Sequence, residues 1–424
     1  MSAAPGRSQA SSHRSPQDEG TPVSAAPGRS QASSHRSPQG EGTPVSAEPA
    51  AQPFPPRGDI VIFQPEFEEF GGEERVILSL SAGLHAQGKA HSVLCYHDHI
   101  GLARHAHLPL PVFELKPSGG GWVKAMALRA ALARLHARGD PTPVLFSIQS
   151  ALHAGMANLR SQLPYFLRIP DTYSLLNYEA TATGGLGRSE RLSARHWLTR
   201  HGIRSARGFA TNTVALANEM HALYGRRAEV VYLGGFGQQP LAQLPARASQ
   251  PIELLSVSRL QKNKRVDWIL QSLAEIVRRP EGEPDFVLHV VGAGPEEAAL
   301  KLMSQELELG ERVRFHGFVS DDALTHLYQR SHVFLMPACQ GYGLPAIEAL
   351  YRRQGVVLNH ESGVVELLAD SQWAVVAEPG PLGFTQGVRD MFKRVCDPRF
   401  FAHPLPSLPT EGDWAKKIIA LFGW

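Results

Sequence analysis

An apolar strand, a glycine-rich turn and a helix follow one another between residues 333 and 357, and this order constrains the fold more than any other feature of the chain. The apolar run Val333–Met336 predicts a strand that is buried on both faces, as in a parallel sheet. The turn Gly341-Tyr342-Gly343 comes next, and Pro345 suits the first position of the helix that follows. The pattern therefore predicts an α/β domain.

The same stretch carries candidate binding groups. Gln340 stands at the mouth of the turn, and Glu348, eight residues later, is predicted in the first turn of the helix. The bare backbone amides of the turn suit an anion, and the two side chains suit hydroxyl groups. A sugar nucleotide offers both kinds of group. An ordinary strand-turn-helix without a ligand would show the same pattern.

Length and composition narrow the class of protein. With 424 residues the chain is long enough for two domains, each with a substantial core. Its net charge of +2 argues against a nucleic-acid partner. The three cysteines lie far apart and form no CxxC pair, which favours a reducing cytoplasm. We expect neither a bilayer-spanning helix nor a secretory signal, because no apolar run is long enough for the first and the N-terminus lacks the apolar core of the second.

The N-terminal segment repeats itself. Residues 2–23 recur as residues 24–45, with Asp18 replaced by Gly40 in the second copy. Both copies are rich in Ser, Pro, Ala and Gln and have almost no large apolar side chains, so we predict a disordered tail over residues 1–57. A docking tail is one explanation of the repeat, and a tandem duplication is the simpler one.

A first domain is predicted over residues 58–237. It opens with a strand at Asp59–Phe63, the diglycine Gly71-Gly72, a helix from about Glu73 and a second strand at Ser92–Cys95. A diglycine at a helix entrance lets a ligand phosphate approach the backbone closely, although tight turns also use one for steric reasons alone.

Two polar residues follow later strands of this domain. The predicted strand Val144–Ile148 leads to His153, and the predicted strand Tyr165–Ile169 leads to Asp171. Ligands of open parallel sheets bind beyond the carboxyl ends of the strands, so His153 and Asp171 are candidate acceptor-side residues. The alternatives are that His153 is an ordinary loop residue and that Asp171 caps a helix.

A linker at residues 238–250 precedes a second domain at residues 251–424. Its first strand, Ile252–Val257, is followed by Arg259 and Lys264, which suit a diphosphate clamp unless they are merely a solvated basic loop. The next predicted strand ends in a glycine turn, but Glu297 occupies the place of the third glycine of a dinucleotide fingerprint, so we reject that interpretation. The final helix, Trp414–Phe422, carries an apolar stripe that suits packing back on the first domain.

In this order the motifs resemble the retaining glycosyltransferases of family 4. The resemblance extends over roughly residues 59–424 and implies the GT-B fold, an α/β architecture of two facing Rossmann-like domains with doubly wound parallel sheets. The matching features, in chain order, are Gly71-Gly72 with Glu74-Arg75, Ser258-Arg259-Leu260 with Lys264, Val291-Gly292 with Gly294-Pro295, Phe315 with Gly317-Phe318, and Gly341-Tyr342-Gly343-Leu344-Pro345 with Glu348-Ala349.

The resemblance also implies roles for individual residues. Arg259 and Lys264 would neutralise the departing diphosphate, and Glu348 would hold the ribose hydroxyls. Gln340 would contact the transferred sugar, so these four residues form the predicted catalytic set. The remaining donor-binding positions would be Gly71, Gly72, Phe318, Gly341, Tyr342, Gly343 and Leu344, with Phe318 lining the nucleobase pocket.

Three parts of the chain depart from the family pattern. The family usually has glutamate where Gln340 stands, so this chain lacks a charge that would stabilise an oxocarbenium-like transition state. Glycine and proline usually occur near Arg353 and Gly355, and a histidine often precedes the aspartate where this chain has Pro170-Asp171.

The sequence thus predicts a cytoplasmic enzyme that moves a hexose from a nucleotide-diphosphate sugar to a hydroxyl acceptor, a glycan, a lipid or a small molecule, with retention at the anomeric carbon. No metal or other cofactor is expected, because the side chains of Arg259 and Lys264 can neutralise the diphosphate in place of a metal ion. Peripheral contact with the inner membrane is left open. The alternatives are a sugar-nucleotide-binding scaffold that has lost turnover and, on the same architecture, a sugar-nucleotide epimerase.

Overall fold

A computed structural model describes residues 54–171, 193–235 and 251–424. The tandem repeat, the arginine-rich stretch after Asp171 and the predicted linker at residues 238–250 lie wholly or largely outside these ranges. Residues 54–57, which the sequence assigned to the tail, already belong to the folded part. Phe54 lies under the guanidinium groups of Arg134 and Arg138, at 4.2 and 5.2 Å from the ring centroid, so the tail ends earlier than predicted.

The first domain contains a seven-stranded sheet in which every pairing is parallel. The strand order is β5-β3-β1-β6-β7-β8-β9, so the chain starts near the centre and crosses over in both directions. Two short strands, β2 and β4, form a separate parallel pair. The strands are β1 Ile60–Phe63, β2 Glu66–Phe67, β3 His91–Cys95, β4 His97–Asp98, β5 Val112–Glu114, β6 Val144–Phe146, β7 Phe166–Arg168, β8 Phe209–Thr211 and β9 Glu229–Val230.

The second domain contains a six-stranded sheet, again wholly parallel, in the order β12-β11-β10-β13-β14-β15. Its central strands are mostly apolar, and such strands are typical of sheets covered by helices on both faces. The strands are β10 Ile252–Val257, β11 Phe286–Val291, β12 Val313–Gly317, β13 Val333–Met336, β14 Gly355–Asn359 and β15 Ala374–Ala377.

Helices connect the strands, as parallel pairing requires. In the part of the chain that the structure describes, the α-helices are α1 Gly72–Ala86, α2 Gly121–Arg138, α3 Ile148–Ala157, α4 Ala194–Ser205, α5 Val214–Tyr224, α6 Val266–Arg278, α7 Glu297–Glu306, α8 Asp321–Arg330, α9 Leu344–Tyr351, α10 Val365–Leu368, α11 Pro381–Val395 and α12 Glu411–Phe422. The two sheets and their helices are the predicted doubly wound α/β architecture.

The last helix returns to the first domain. α12 packs on α1, where a Cβ added to Gly83 would lie 2.3 Å from the Cβ of Ala415. At its end Phe422 stacks on Phe166 of β7, with ring centroids 4.5 Å apart. Glycine at position 83 is what allows the two helices to approach so closely.

One prediction about the first domain was wrong. The strand expected at Val144–Ile148 ends at Phe146, and the next residues turn into α3. Ser147 makes this turn with φ 77°, and its hydroxyl accepts the N–H of Ser150 as a helix cap. His153 therefore lies on a helix and not in a loop. Among the described helices, none is long and apolar enough to cross a membrane.

Candidate functional site

The loops that follow β10 and β13 are joined side by side. The backbone N–H of Cys339 donates to the carbonyl of Asn263 at 2.8 Å, and the Asn263 side chain donates back to the Cys339 carbonyl at 3.3 Å. The next residue on each loop is Lys264 or Gln340, and Lys264 Nζ donates to Gln340 Oε1 at 2.6 Å. The register of the two loops therefore places the predicted cation and the predicted sugar ligand in direct contact.

The glycine turn reaches across to the first domain. The N–H of Gly341 donates to Asp171 Oδ1 at 3.0 Å, and a Cβ at position 341 would lie only 2.1 Å from that oxygen. Glycine is thus required by the close approach of two domains. Asp171, predicted from the end of β7, and Gly341, predicted from the end of β13, meet at one point.

Four charged groups surround this point. Burial and the neighbouring carboxylate of Glu73 raise the pKa of Asp171 to about 6, while Lys264 and Arg168 act in the opposite direction. Burial likewise raises the pKa of Glu73, whose Oε2 accepts from Gln64 at 2.9 Å. Lys264 has its pKa lowered by burial and partly restored by Asp171. Two acids and two bases share a site with restricted access to water, as binding sites for charged ligands do.

Arg168, the last residue of β7, is the second of these cations. It is 1% exposed, and its NH2 group donates to Asn212 Oδ1 at 2.8 Å. Its Nε and NH1 atoms have no hydrogen-bond partner among the described residues. Burial lowers its pKa to about 10, with Glu73 and Asp171 opposing the shift. The charge of Arg168 in turn lowers the pKa of Glu73 and of Asp171 and so opposes the effect of their burial.

Gln340 is held by the protein on both sides of its amide. Besides the oxygen that accepts from Lys264, its nitrogen donates to Ser362 Oγ at 3.2 Å and lies 3.1 Å from Met336 Sδ. A Cβ on Gly343 would meet the same nitrogen at 2.8 Å, which explains the glycine with φ 118° at that position. The amide thus has a fixed orientation before any ligand arrives.

Arg259 lies at the rim of the site. Its side chain is 52% exposed and pairs with Glu69 of the first domain at 2.8 Å. A diphosphate would have to compete with this carboxylate for the guanidinium group. Arg259 and Lys264 therefore both follow β10, but Arg259 is exposed to solvent and Lys264 is buried.

Glu348 is the fifth residue of α9, one position past the first turn in which it was predicted, because the helix begins at Leu344. Tyr328 donates its hydroxyl to Glu348 Oε2 at 3.0 Å. Burial raises the pKa of Glu348, and Arg75 from the first domain acts against this rise. Tyr328 thus occupies one carboxylate oxygen, and among the described residues no hydrogen bond to the other oxygen is found, so it can accept from a ligand hydroxyl.

The other predicted donor-binding residues divide into two groups. Gly71 and Gly72 form the entrance of α1, where a Cβ on Gly72 would meet nothing within 4 Å, and Phe318 is 84% exposed at the end of β12. These residues are open to a ligand. Tyr342 is not: it is 6% exposed, and its hydroxyl donates to the carbonyl of Leu233 at 2.6 Å. The ring closes the contact between the domains, and the assignment of Tyr342 to the donor stays a prediction.

His153 does not join the other candidates in a shared contact. It is 3% exposed, and its Nδ1 lies 3.0 Å from the Tyr96 hydroxyl. Burial, together with the nearby Lys124, lowers its pKa to about 4, so it is neutral at physiological pH. It packs within the core of the first domain, and its assignment as an acceptor-side residue stays a prediction.

Several residues of the site escaped the sequence analysis. Arg265 makes a two-pronged ion pair with Glu361, whose backbone carbonyl accepts the N–H of Gln340 at 3.2 Å. Glu366 of the second domain accepts the first two N–H groups of α5, at 2.7 and 2.6 Å, as a carboxylate does at a helix N-terminus. Arg265 is adjacent to Lys264 in the same basic run, so the sequence could have indicated it as a site residue. No pattern in the sequence indicated that Glu366 contacts α5.

Comparison with known proteins finds a family match that covers most of the second domain. The sequence profile of the family described as "Glycosyl transferases group 1" matches residues 242–393. Mannosylfructose-phosphate synthase of Agrobacterium fabrum is 26% identical over 182 residues, which are 40% of this chain and 39% of that protein. D-inositol 3-phosphate glycosyltransferase 2 of Catenulispora acidiphila is 32% identical over 183 residues, 40% of each chain. This chain therefore spans about two fifths of the length of these curated relatives.

Solved structures resemble nearly the whole folded part. HepE of Anabaena, in complex with UDP and glucose, superimposes with a TM-score of 0.62 over 86% of this chain and 97% of its own, at 16% identity. WaaG, a glycosyltransferase involved in lipopolysaccharide biosynthesis, gives a TM-score of 0.61 over 86% and 100%, at 17% identity. At these identities the likeness concerns the fold, and it confirms the two-domain GT-B architecture.

Proposed function

We propose, from the similarity of residues 242–393 to the group 1 glycosyl transferases and from the GT-B fold, that this chain transfers a hexose from a nucleotide-diphosphate sugar to a hydroxyl acceptor. The observation that carries the proposal is the meeting of three loops at one point. Asp171, Lys264 and Gly341 follow strands of two different sheets, and each lies beyond the carboxyl end of its strand.

The arrangement suits a diphosphate. Lys264 is enclosed and offers a point charge, and Arg259 at the rim offers a planar fork for a second phosphate oxygen. The N-terminus of α9, which begins at Leu344, adds neutral backbone donors. Two protein cations supply the electrostatic stabilisation of a leaving diphosphate, so we propose a transfer that uses no metal and no other cofactor.

The remaining residues have roles that fit a nucleotide sugar. The free oxygen of Glu348 accepts from a ribose hydroxyl, and the exposed ring of Phe318 offers a face on which the base can stack. Gln340 and the carboxylate of Asp171 face the region where the sugar would lie. HepE was solved with UDP and glucose, which makes a UDP-hexose the first donor to test.

We also propose that the transfer proceeds with retention at the anomeric carbon. If the leaving diphosphate oxygen stays on the side of the sugar that the acceptor approaches, it can take the acceptor's proton as its own bond to carbon breaks. The new bond then forms on the face that the old bond left. We propose this front-face substitution in the cytoplasm, with a glycan, a lipid or a small molecule as the acceptor. For a lipid acceptor the protein would contact the membrane surface.

A second candidate function has one specific observation in its favour. Gln340 stands where a carboxylate would be expected, and its amide is already bonded to Lys264 and Ser362. A protein of this kind would bind the sugar nucleotide without turning it over, because a neutral amide stabilises a developing positive charge less than a carboxylate does. The chain would then be a sugar-nucleotide-binding scaffold.

The experiment is a thermal-shift screen of the full chain against UDP-, GDP- and ADP-sugars. A donor at about 100 times its dissociation constant stabilises the folded state by about 2.7 kcal/mol, so the matching nucleotide should raise the melting midpoint measurably. At the same donor concentration Lys264→Met should reduce the rise to about half or less, whereas Lys262→Ala, which removes an exposed lysine from the same turn, should keep it. No rise with any sugar nucleotide would refute both functions.

A further inference from the structure

A short ribbon in the first domain places three metal-binding side chains on one face. β2 and β4 pair in parallel with Glu66 opposite His97. Side chains alternate along an extended chain, so His99 lies on the same face as His97 while Asp98 lies on the other. The donor atoms of Glu66, His97 and His99 all lie within 4.8 Å of one another. The HDH sequence at residues 97–99 carries this alternation.

Contacts around the ribbon hold the three groups toward each other. His97 Nδ1 lies 3.1 Å from Glu66 Oε2, and the rings of His97 and His99 stack with centroids 5.8 Å apart. The other oxygen of Glu66 accepts from Lys124 Nζ at 2.5 Å. A carboxylate fixed in this way by a neighbouring donor is typical of metal ligands, whose orientation outer hydrogen bonds set.

Asp98 is excluded from the cluster by its own bonds. Its carboxylate accepts the backbone N–H groups of Gly101 and Leu102, at 2.9 and 2.8 Å. The group is therefore a set of two imidazoles and one carboxylate rather than an acidic patch. Calcium and magnesium prefer oxygen donors, whereas two imidazoles favour zinc and its neighbours among the transition metals.

We propose that Glu66, His97 and His99 bind one divalent ion of the zinc class. Zinc lies about 2.0–2.2 Å from nitrogen and oxygen ligands, so tetrahedral donors stand about 3.3–3.5 Å apart. The Glu66–His97 separation of 3.1 Å is close to that value. His99 is exposed and can turn to complete the third contact. Three protein ligands leave a fourth position for water or another oxygen ligand.

Lys124 sets a limit on the strength of this site. Its ammonium group neutralises part of the Glu66 charge and repels a second cation, so the affinity is lower than that of a site with an unpaired carboxylate. The ribbon extends β1 and β3 beyond their carboxyl ends, the edge at which parallel sheets bind ligands. The ion would thus lie on the first domain, apart from the cations Arg259 and Lys264 that serve the diphosphate.

The test is equilibrium dialysis of the purified full chain against zinc at pH 7.5, with Co²⁺ absorption as a report of coordination geometry. The wild type should bind one more zinc ion per chain than the variant carrying both His97→Ala and His99→Ala. Each single substitution should weaken binding at least about tenfold, since outer-shell changes alone cost 10–100-fold. Glu66→Gln should do the same without removing bulk.

The matched control is His85→Ala, which removes an exposed histidine from the same domain and should leave zinc binding unchanged. Zinc should raise the melting midpoint of the wild type and of His85→Ala but not that of the double variant. His99 is exposed, so His99→Ala should fold normally in the presence of a chelator. Equal zinc stoichiometry in the wild type and the double variant, or equal affinity in His99→Ala and the wild type, would overturn the proposal.

Discussion

Replacing Lys264 should weaken nucleoside diphosphate binding far more than replacing Arg259. Lys264 is enclosed, and its Nζ lies 2.6 Å from Gln340 Oε1, so its charge is poorly screened by water. A charge-assisted hydrogen bond in such surroundings contributes about 1.5–3 kcal/mol, which corresponds to an affinity loss of about 10- to 100-fold. Lys264→Met keeps the apolar stem of the side chain and is the variant to use.

Arg259 should contribute less because its surroundings differ. It is half exposed and must give up its ion pair with Glu69 before it can hold a phosphate. Exposed ion pairs are worth about 0–1 kcal/mol, so Arg259→Ala should cost no more than about fivefold.

Titration calorimetry of free UDP, GDP and ADP with both variants, at 0.15 M salt, gives this comparison. Lys262→Ala is the control because it removes a lysine from the same turn. Melting midpoints of the free proteins show whether each variant is folded. Equal losses in Lys264→Met and Arg259→Ala would refute the argument from burial, and no loss in either would refute the diphosphate clamp itself.

Three further changes test other parts of the structure. Gly341→Ala should lower the urea midpoint and the donor affinity, because its Cβ would overlap Asp171 and overpacking costs about 1–3 kcal/mol. Gly72→Ala is the control, because its Cβ would meet nothing within 4 Å and should not alter the midpoint. Equal midpoints of the two variants would contradict the close contact. The raised pKa of Asp171, about 6 against an ordinary value of 3.8, means that its contribution to stability is fully present below pH 4 and is lost as the pH rises through 6. Between pH 4 and pH 7 the free energy of unfolding of Asp171→Asn should therefore rise by about 1–2 kcal/mol relative to that of the wild type. The same pH dependence of this free energy in both proteins would contradict the prediction. A chain that starts at residue 51 should keep the full melting midpoint, whereas one that starts after Phe54 should lose the contacts with α2 and melt lower.

The sheet of the second domain was predictable because its strands are mostly apolar runs bounded by turn residues. Ile252–Val257, Phe286–Val291 and Val333–Met336 begin and end in the structure where the sequence placed them. The first domain was harder, because its strands are short and α3 begins directly after β6. The helix depends on Ser147 at φ 77°, a conformation that a serine seldom adopts and that no pattern announces.

The site was predictable in its parts and not in its contacts. Lys264, Gln340 and Asp171 were each found from their places after strands. Their meeting depends on how two loops and two domains pack, over separations of 76 residues for Lys264 and Gln340 and 170 for Asp171 and Gly341. Local sequence carries no signal for such distances, which is why the partners of Arg259 and Glu348 were also missed.

A family departure near the turn has a structural counterpart. Arg353, close to where the resembled family usually has glycine, adopts φ 55°, a left-handed conformation that costs a side chain about 1–2 kcal/mol. Its guanidinium lies 3.4 Å from the carbonyls of Phe401 and His403 and 5.9 Å from the Trp373 ring centroid. These contacts offset the strain, so the turn is kept with a different residue.

The measurement that decides between an enzyme and a scaffold is the release of nucleoside diphosphate from the preferred donor by the wild type, Gln340→Glu and Glu348→Ala, with and without acceptors. The wild type should release diphosphate, and Glu348→Ala should release almost none because the ribose loses its carboxylate. Gln340→Glu keeps the acceptor for Lys264 and adds a negative charge, so it should raise kcat more than it changes KM. A wild type that binds the donor tightly yet releases no diphosphate with any acceptor would contradict the proposed transfer and leave the scaffold.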